Sequence, residues 1–367
     1  MIALILFLST TVFFSIAILV LLIPLVFFRQ VLVHKKSIMF SRQEVYAYAL
    51  MLFAAVIMTY LNIFYDAVIP NIQRGSILGN IPYIILLPIA FLIGKFLTGK
   101  DLRIIQYLIL IEIVVGCFEY YYGVPTFFVN KTPISELADT DILYQRRVFG
   151  FSPNSSNLAA KVIYLAMITL MQIKMNKKIC RDSLIFLFFI FVGLFVTFNR
   201  TAIIAVVLSF FILFGMSLRG VILVSIPTLG IILSKWDSIY EQMTRGKGTV
   251  DLSGRDQIFS YFYNFWSENL LFGNFGTKLW WNSMGNIWHS HNSYLEFFAS
   301  NGLLLALIFF LGFFMVFSRG LIVVLPILIF SLFQYGFLWG LSFYDIVFSA
   351  IIYNYVKQVR VGVSNGV

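Results

Sequence analysis

Charged residues are scarce in this chain, and their scarcity indicates its class. Only 11% of the 367 residues are charged, whereas 60% are hydrophobic and 18% are aromatic. An ordinary soluble domain carries about a quarter charged residues. Since a spanning helix needs roughly 20 apolar residues, the length accommodates about ten or eleven membrane spans and one substantial loop. The sequence therefore predicts an all-α fold, a polytopic membrane helical bundle with about 11 transmembrane helices.

Cysteine and acidic residues are also few. Cys117 and Cys180 lie in or beside different apolar runs and toward opposite sides of the predicted bilayer, so we expect no disulfide between them. The chain has 16 acidic and 26 basic residues, which gives a net charge of +10. The basic residues lie between apolar runs and form no separate basic domain, so we interpret them as a topology signal and expect no nucleic-acid partner.

The first apolar run also lacks the basic start and the small-residue cleavage site of a removable signal, so we interpret it as a retained helix. Apolar runs bounded by charge or by Gly and Pro predict the remaining helices. The expected helices lie near residues 2–28, 44–68, 78–97, 104–122, 155–173, 183–199, 201–217, 220–234, 293–317, 320–338 and 343–356.

Basic clusters predict the orientation of these helices. Residues 29–42, 95–103, 174–181, 219, 319 and 357–360 carry the clusters, and all of them fit one face, the cytoplasm. This arrangement places the amino terminus outside and the carboxyl terminus inside. It also places the long polar segments 123–154 and 235–292 on the outer face. We expect one integral membrane domain, residues 1–367, with these two extracytoplasmic loops forming the cap of an active site.

Several arginines on the predicted outer face work against the positive-inside rule and call for a functional explanation. Arginine is always charged and binds phosphate through a planar fork of donors. Arg147, Arg200 and Arg255, with Arg146 in support, therefore suit a diphosphate leaving group. The alternative for Arg200 is that Asn199-Arg200-Thr201 is only a solvated turn between two helices.

Histidine occurs only three times, and two of the three form His289-Ser-His291 directly before an apolar helix. A histidine can take and give a proton near neutral pH. We predict that His291 is the catalytic residue that acts on an attacking hydroxyl, supported by His289, Asn292 and Glu296. A metal site is the weaker alternative because His34 lies on the opposite face of the predicted bilayer.

Ionisable residues inside the predicted spans are few, and Glu112 and Lys161 are the clearest cases. Buried charges are costly and by default functional, although the alternative for Glu112 is a hydrogen bond between helices. Asn154, Asn157 and Lys161 recur at intervals of three and four residues. They predict one polar helix stripe that faces a cavity rather than lipid.

The long outer loop carries a helix signal of its own. Ser253-Gly-Arg-Asp256 is typical of a capping box, and apolar residues follow it at helical spacing. The residues at this spacing are Ile258, Phe259, Phe262, Phe265 and Trp266. Such an aromatic face would lie in the bilayer interface or cover the membrane domain.

The order of these motifs resembles the O-antigen ligase/polymerase superfamily, over about residues 140–320. In that family, as here, the first motif extends from an arginine through a glycine to an asparagine. It is followed by an arginine between adjacent spans, a Gly-Arg pair and a histidine that opens a long helix. The matching elements are Arg147…Gly150…Asn154, Arg200, Gly254-Arg255 and His291-Asn-Ser-Tyr-Leu…Gly302. This chain departs from the pattern at Asn199, where relatives often have serine.

The resemblance implies a metal-independent, inverting glycosyltransferase of the membrane-embedded C type (GT-C) that needs no cofactor. Such an enzyme acts on undecaprenyl-diphosphate-linked oligosaccharides at the outer face of a bacterial inner membrane. By this likeness Arg147, Arg200 and Arg255 hold the donor diphosphate, and His291 activates or orients the acceptor hydroxyl. The expected partners are the lipid-linked donor and acceptor, membrane lipid, a flippase and a chain-length regulator.

Two activities within the superfamily, polymerase and ligase, remain as alternatives, and a transporter is the alternative from another class. A polymerase joins repeat units on the lipid carrier, whereas a ligase moves the finished chain to the lipid A core. We favour polymerase because the chain is compact and its acceptor loop is modest in length. A cell-wall transglycosylase of the related shape-and-division type is a lesser option. A polysaccharide or lipid transporter would carry its polar residues at the bilayer midplane on broken helices, whereas polarity here concentrates outside.

Overall fold

The computed structural model describes residues 1–14, 16–29, 40–65, 67–68, 83–128, 147–176, 180–214, 255–283 and 286–364. Within these ranges the regular structure is helical, as predicted, apart from one short antiparallel hairpin. Three helical stretches are long and apolar enough to cross a membrane, namely Arg42–Phe64, Ser155–Asn176 and Ser293–Phe330. The expected total of about eleven spans stays a prediction, and the helix expected near 220–234 lies outside the described residues.

The elements are numbered here in chain order. The first part of the chain forms α1 (Ile2–Leu8), α2 (Leu22–Phe28), α3 (Arg42–Phe64), α4 (Leu86–Lys95), α5 (Gly99–Tyr122), α6 (Ser155–Asn176), α7 (Arg181–Thr197) and α8 (Arg200–Phe214). Short 3-10 turns precede α2 at Ile16–Leu21 and α4 at Tyr83–Ile85. The second part forms α9 (Arg255–Glu268), β1 (Trp281–Ser283), β2 (Asn286–Trp288), α10 (Ser293–Phe317), a 3-10 segment (Ser318–Val324), α11 (Leu325–Phe330) and α12 (Phe343–Ser364).

The prediction of a single helix over residues 2–28 is wrong. α1 ends at Leu8, and α2, which begins only at Leu22, packs against α1. A straight helix would hold the centres of these two elements about 30 Å apart, so the chain folds back on itself between them. Near the bend, the N–H of Val12 donates to the carbonyl of Phe151 at 2.9 Å.

The prediction of a helix over residues 320–338 is also wrong, because helical structure ends at Phe330. Residues 331–342 form a loop in which Leu338 has a positive φ of 65° and Gly340 one of 99°. The buried carboxylate of Asp345, on α12, accepts hydrogen bonds from the backbone N–H groups of Leu338 (2.7 Å) and Trp339 (2.8 Å). An apolar run can leave the helix where another side chain satisfies its backbone groups.

α6 lies at the centre of the bundle and is buried along almost its whole length, with α5, α7, α11 and α12 around it. Two other helix pairs approach closely at glycine. A Cβ atom at Gly94 of α4 would lie 1.9 Å from Ser349 Oγ of α12, and one at Gly312 of α10 would lie 2.5 Å from the carbonyl oxygen of Ala47 in α3. Small residues at such contacts are typical of helix packing in membranes.

One end of the bundle carries three ion pairs between helices. Two of them have N–O distances of 2.8 Å, and the third joins α5 to α7 at the surface. The pairs are Arg29–Asp101, Lys95–Glu44 and Arg103–Asp182. The cations of these pairs come from two basic clusters that the sequence assigns to the cytoplasm, and Asp182 directly follows a third. The side of a membrane that this end faces stays a prediction.

α10 is interrupted at Gly302, whose backbone angles (φ 67°, ψ 171°) are not helical. The interruption frees N–H and C=O groups, and the segment 269–277, between α9 and β1, satisfies them. A Cβ atom at Gly302 would lie 2.2 Å from the carbonyl oxygen of Leu271, so only glycine fits this contact. The joining hydrogen bonds are Leu303 N–H to Leu270 O (2.7 Å), Leu304 N–H to Leu271 O (3.3 Å), Asn274 N–H to Ala299 O (2.9 Å) and Gly276 N–H to Ser300 O (2.8 Å).

α9 covers the start of α10. Its buried residues Ile258 and Phe262 form a small apolar cluster with Leu279 and with Ala299 of α10. The predicted helix in the outer loop is therefore present and packs on the bundle. Ser253, the first residue of the predicted capping box, lies outside the described residues.

Candidate functional site

A cavity of about 150 Å³ lies where α6 and α10 begin. Three stretches that are far apart in the sequence form its wall: residues 154–157, 289–291 and 330–339. The lining residues are Asn154, Ser156, Asn157, His289, His291, Phe330, Gln334, Tyr335 and Trp339. Two predicted site histidines and two members of the predicted polar stripe thus share one cavity.

The first wall of the cavity is fixed by a helix cap. The side-chain oxygen of Asn154 accepts a hydrogen bond from the backbone N–H of Asn157 at 2.9 Å, and α6 begins at the next residue, Ser155. Asparagine is a favoured cap because it satisfies one of the free N–H groups of the first turn. The cap holds the start of α6, with the side chains of residues 154–157, at the cavity.

Two carboxylates of α5 hold the chain that leads into this cap. Glu119 accepts hydrogen bonds from the N–H groups of Phe149 (3.2 Å) and Gly150 (2.7 Å), and Glu112 accepts one from the hydroxyl of Ser152 (2.8 Å). Glu112 and Glu119 are seven residues apart, so they lie on the same face of α5. Glu119 was missed by sequence reasoning, because its partners are backbone N–H groups, of Phe127 and of two residues about 30 positions away, and a backbone partner leaves no residue-type signal.

Lys161 does not face the cavity, so the predicted stripe is correct for Asn154 and Asn157 only. The ammonium nitrogen of Lys161 lies 2.9 and 2.8 Å from the two carboxylate oxygens of Glu112, and both side chains are fully buried. A buried ammonium group needs a compensating charge, and this requirement turns Lys161 toward α5. Glu112 therefore has a charged partner, which sequence neighbours could not supply.

The second wall of the cavity is a tight turn that brings two imidazole rings together. The ring centroids of His289 and His291 are 4.2 Å apart. The backbone N–H of His291 donates to Nδ1 of His289 at 3.2 Å, and His291 itself has a left-handed φ of 53°. Such a conformation is uncommon for a residue other than glycine and is concentrated at functional sites.

Asn292 and Glu296 anchor this turn to α10. The side-chain oxygen of Asn292 caps the helix by accepting from the N–H groups of Tyr294 and Leu295, both at 3.0 Å. Glu296 is fully buried and accepts hydrogen bonds from the N–H (3.1 Å) and the hydroxyl (3.2 Å) of Ser290. Both residues contact the histidine turn through its backbone or through Ser290, so they position the imidazoles.

Lys278 is a site residue that sequence reasoning missed. Its ammonium nitrogen lies 3.0 Å from a carboxylate oxygen of Glu296. The same nitrogen lies 4.5 Å from the ring centre of Trp280, 4.1 Å from that of Tyr335 and 5.0 Å from that of Trp339. These are cation–π distances. The available signal was a lysine directly before a Leu-Trp-Trp run.

Burial makes both histidines weak bases in the free protein. Burial, the charge of Arg255 and the charge of Lys278 lower the pKa of His291 to about 4, against an opposing interaction with Gln334. Burial also lowers the pKa of His289 well below its usual value, with further contributions from Lys278, His291 and Arg255. Both rings are therefore neutral at pH 7. Nδ1 of His291 is buried and has no hydrogen-bond partner among the described residues.

None of the predicted diphosphate-binding arginines Arg147, Arg200 and Arg255 lines the cavity. Arg255, the first residue of α9, is close enough for its charge to lower the pKa of both histidines. Arg147 is half-buried, and the next residue, Val148, donates its N–H to the carbonyl of Val196 at 3.2 Å. This contact places Arg147 beside the end of α7, close to Arg200 at the start of α8. Arg146 lies outside the described residues.

Comparison of the chain with protein-family models gave no match, and comparison with curated proteins gave no significant match. Within the described ranges, no group of three or more His, Cys, Asp or Glu side chains is arranged to hold a metal ion.

Proposed function

We propose that this protein is a metal-independent, inverting glycosyltransferase. It polymerises undecaprenyl-diphosphate-linked repeat units into O-antigen or capsular polysaccharide at the outer face of a bacterial inner membrane. The observation that carries the proposal is the composition of the cavity. Two neutral histidines meet amide side chains from a distant stretch, and two cations, Arg255 and Lys278, are close enough to lower the pKa of a histidine.

The proposed reaction has a balanced path. The acceptor hydroxyl attacks the anomeric carbon of the donor sugar, opposite the diphosphate, and its proton passes to His291. The bond between the anomeric carbon and the diphosphate oxygen breaks, and the diphosphate leaves with the bonding electrons. Attack from the opposite side inverts the anomeric configuration. Arg255 and Lys278 stabilise the negative charge that develops on the leaving group.

The low pKa of His291 fits a base that becomes stronger when the donor binds. In the free protein, burial and two nearby cations hold the pKa of His291 at about 4. A diphosphate carries negative charge, which favours the protonated imidazole and offsets the cations. Donor binding therefore raises the pKa of His291 and prepares it to take a proton.

The membrane setting supports a lipid-linked substrate. The cavity lies at the start of α6 and α10, which are long and apolar enough to cross a bilayer. The diphosphate of a polyprenyl carrier lies at the membrane surface, because its chain is apolar and its head is charged. We propose that a flippase delivers the donor to this surface and that a chain-length regulator limits the product.

The test is transfer by the purified protein supplied with undecaprenyl-diphosphate oligosaccharide. The unmodified protein should form a polymer ladder and release undecaprenyl diphosphate, without nucleotide sugar and in the presence of EDTA. A general base contributes about 10²–10⁴-fold, so His291→Ala should lower turnover by that factor, whereas the matched variant His34→Ala should not. Full activity of His291→Ala would exclude the proposed base. Transfer only to a lipid A core acceptor would replace polymerase with ligase.

A further inference from the structure

Part of the cavity wall has no role in the proton transfer described above. Phe330, Tyr335 and Trp339 supply aromatic surface, and Asn154, Asn157 and Gln334 supply amides. The side chain of Asn157 and the hydroxyl of Ser156 make no hydrogen bond to any described residue. Groups of this kind at a cavity surface are available to a ligand.

The lining selects among the chemical parts of the substrate. A diphosphate would need cations, and none of the lining residues is an arginine or a lysine. The Lys278 ammonium lies close to the rings of Tyr335 and Trp339, but it is already paired with the Glu296 carboxylate at 3.0 Å. A lipid tail would leave the amides, the hydroxyls and the two imidazoles without partners. A sugar ring matches both kinds of surface, because its hydroxyls pair with amides and its C–H faces pack on the negatively polarised faces of aromatic rings.

The volume limits how much of a saccharide can enter. A cavity of about 150 Å³ corresponds to about five water molecules at roughly 30 Å³ each. This is the scale of one sugar ring. Pockets that enclose larger ligands measure about 300–1,000 Å³. Only one terminal residue of an oligosaccharide can therefore be enclosed.

We propose that this cavity is a subsite for a single sugar ring, the terminal sugar of the acceptor. The ring packs against the parts of Tyr335 and Trp339 that line the cavity, beside the Lys278 ammonium, which lies 4.1 Å and 5.0 Å from their ring centres. The amides of Asn154, Asn157 and Gln334 bind its hydroxyls. One hydroxyl then lies beside His291. This assignment rests on the proposed function and adds that the cavity selects the acceptor sugar, whereas the donor diphosphate binds outside it.

Ligand-observed NMR on the purified full-length protein tests the subsite without requiring transfer. The probes are the methyl glycosides of glucose, galactose, mannose, N-acetylglucosamine, rhamnose and glucuronic acid. One or a few of them should show saturable transfer of magnetisation from the protein. Trp339→Leu and Asn157→Ala should each abolish or strongly weaken the signal. Trp288→Leu, which changes an exposed tryptophan outside the cavity, should retain it, and inorganic pyrophosphate should not compete.

A transfer assay separates this proposal from the proposed function. Loss of one hydrogen bond costs about 1.4 kcal/mol at most, or about tenfold, so Asn157→Ala should raise the acceptor KM about tenfold and change kcat by less than about threefold. A loss confined to kcat would overturn the subsite. So would an absence of glycoside binding in a protein that polymerises, or binding that survives in both cavity variants. Glycoside binding by a protein without transferase activity would retain the subsite and overturn the proposed function.

Discussion

Replacement of Lys161 by methionine tests whether the buried ion pair organises the site. The change leaves the Glu112 carboxylate fully buried, and among the described residues only the hydroxyl of Ser152, at 2.8 Å, remains as a hydrogen-bond partner. Removing one partner of a buried pair costs about 3–5 kcal/mol, because an uncompensated charge stays in the interior. We expect Lys161→Met to lower the apparent Tm by several degrees and to loosen the residues before Asn154.

The double variant Lys161→Met/Glu112→Gln makes the test specific to charge. It removes both charges and keeps an acceptor for Ser152, so it should recover most of the lost stability. Arg103→Met is the matched control, because the Arg103–Asp182 pair is about half exposed (52% and 48%). Loss of such a surface pair should cost about 1 kcal/mol or less.

The assay is thermal unfolding of the purified protein in detergent, followed by tryptophan fluorescence at several scan rates because unfolding of membrane proteins is often irreversible. The role of the buried ion pair would be refuted if Lys161→Met were as stable as the unmodified protein. It would also be refuted if the double variant were no more stable than the single one.

Three further predictions concern the charges around the histidines. Lys278→Met removes a cation that lowers the pKa of both histidines, so the acid limb of the pH–rate profile should move to higher pH; an unmoved limb would exclude this charge effect. The folded-state pKa of His291, about 4, lies below its ordinary value of 6.5, so between these values the unfolded chain binds more protons and stability increases with pH. The apparent Tm should therefore fall as the pH is lowered from 6.5 to 4, and His291→Asn should reduce this fall. Finally, replacing a predicted phosphate-binding arginine by lysine retains the positive charge but removes the planar fork of donors. Each of the three variants, Arg147→Lys, Arg200→Lys and Arg255→Lys, should therefore sharply reduce polymer formation. Full activity of the lysine variants would show that no bidentate phosphate contact exists.

Composition and hydropathy could predict the helical architecture because lipid-compatible helices need long apolar runs. The predicted bounds of α10 agree with the structure, and those of α6 differ by three residues at one end. Spacing also predicted that Asn154 and Asn157 face a cavity, and the structure places both with His289 and His291. These features depend on local pattern, which the sequence contains directly.

The remaining features depend on contacts that no local pattern records. Lys161 pairs with a residue 49 positions away, so its direction could not be read from its neighbours. The loop after α11 is as apolar as a helix, and side chains from other elements, the hydroxyl of Ser293 and the carboxylate of Asp345, satisfy its backbone N–H groups instead. Lys278 enters the site through Glu296 and through the rings of Tyr335 and Trp339, which lie in other stretches of the chain.

The interruption of α10 at Gly302 also constrains how the protein is assembled. A helix in lipid cannot leave backbone groups unpaired, so α10 cannot take its final broken form before segment 269–277 has docked against it. Docking also carries the loop with Lys278 to the helix. The shape of a candidate membrane span and the placement of a cation beside the histidines are therefore completed together, when segment 269–277 docks.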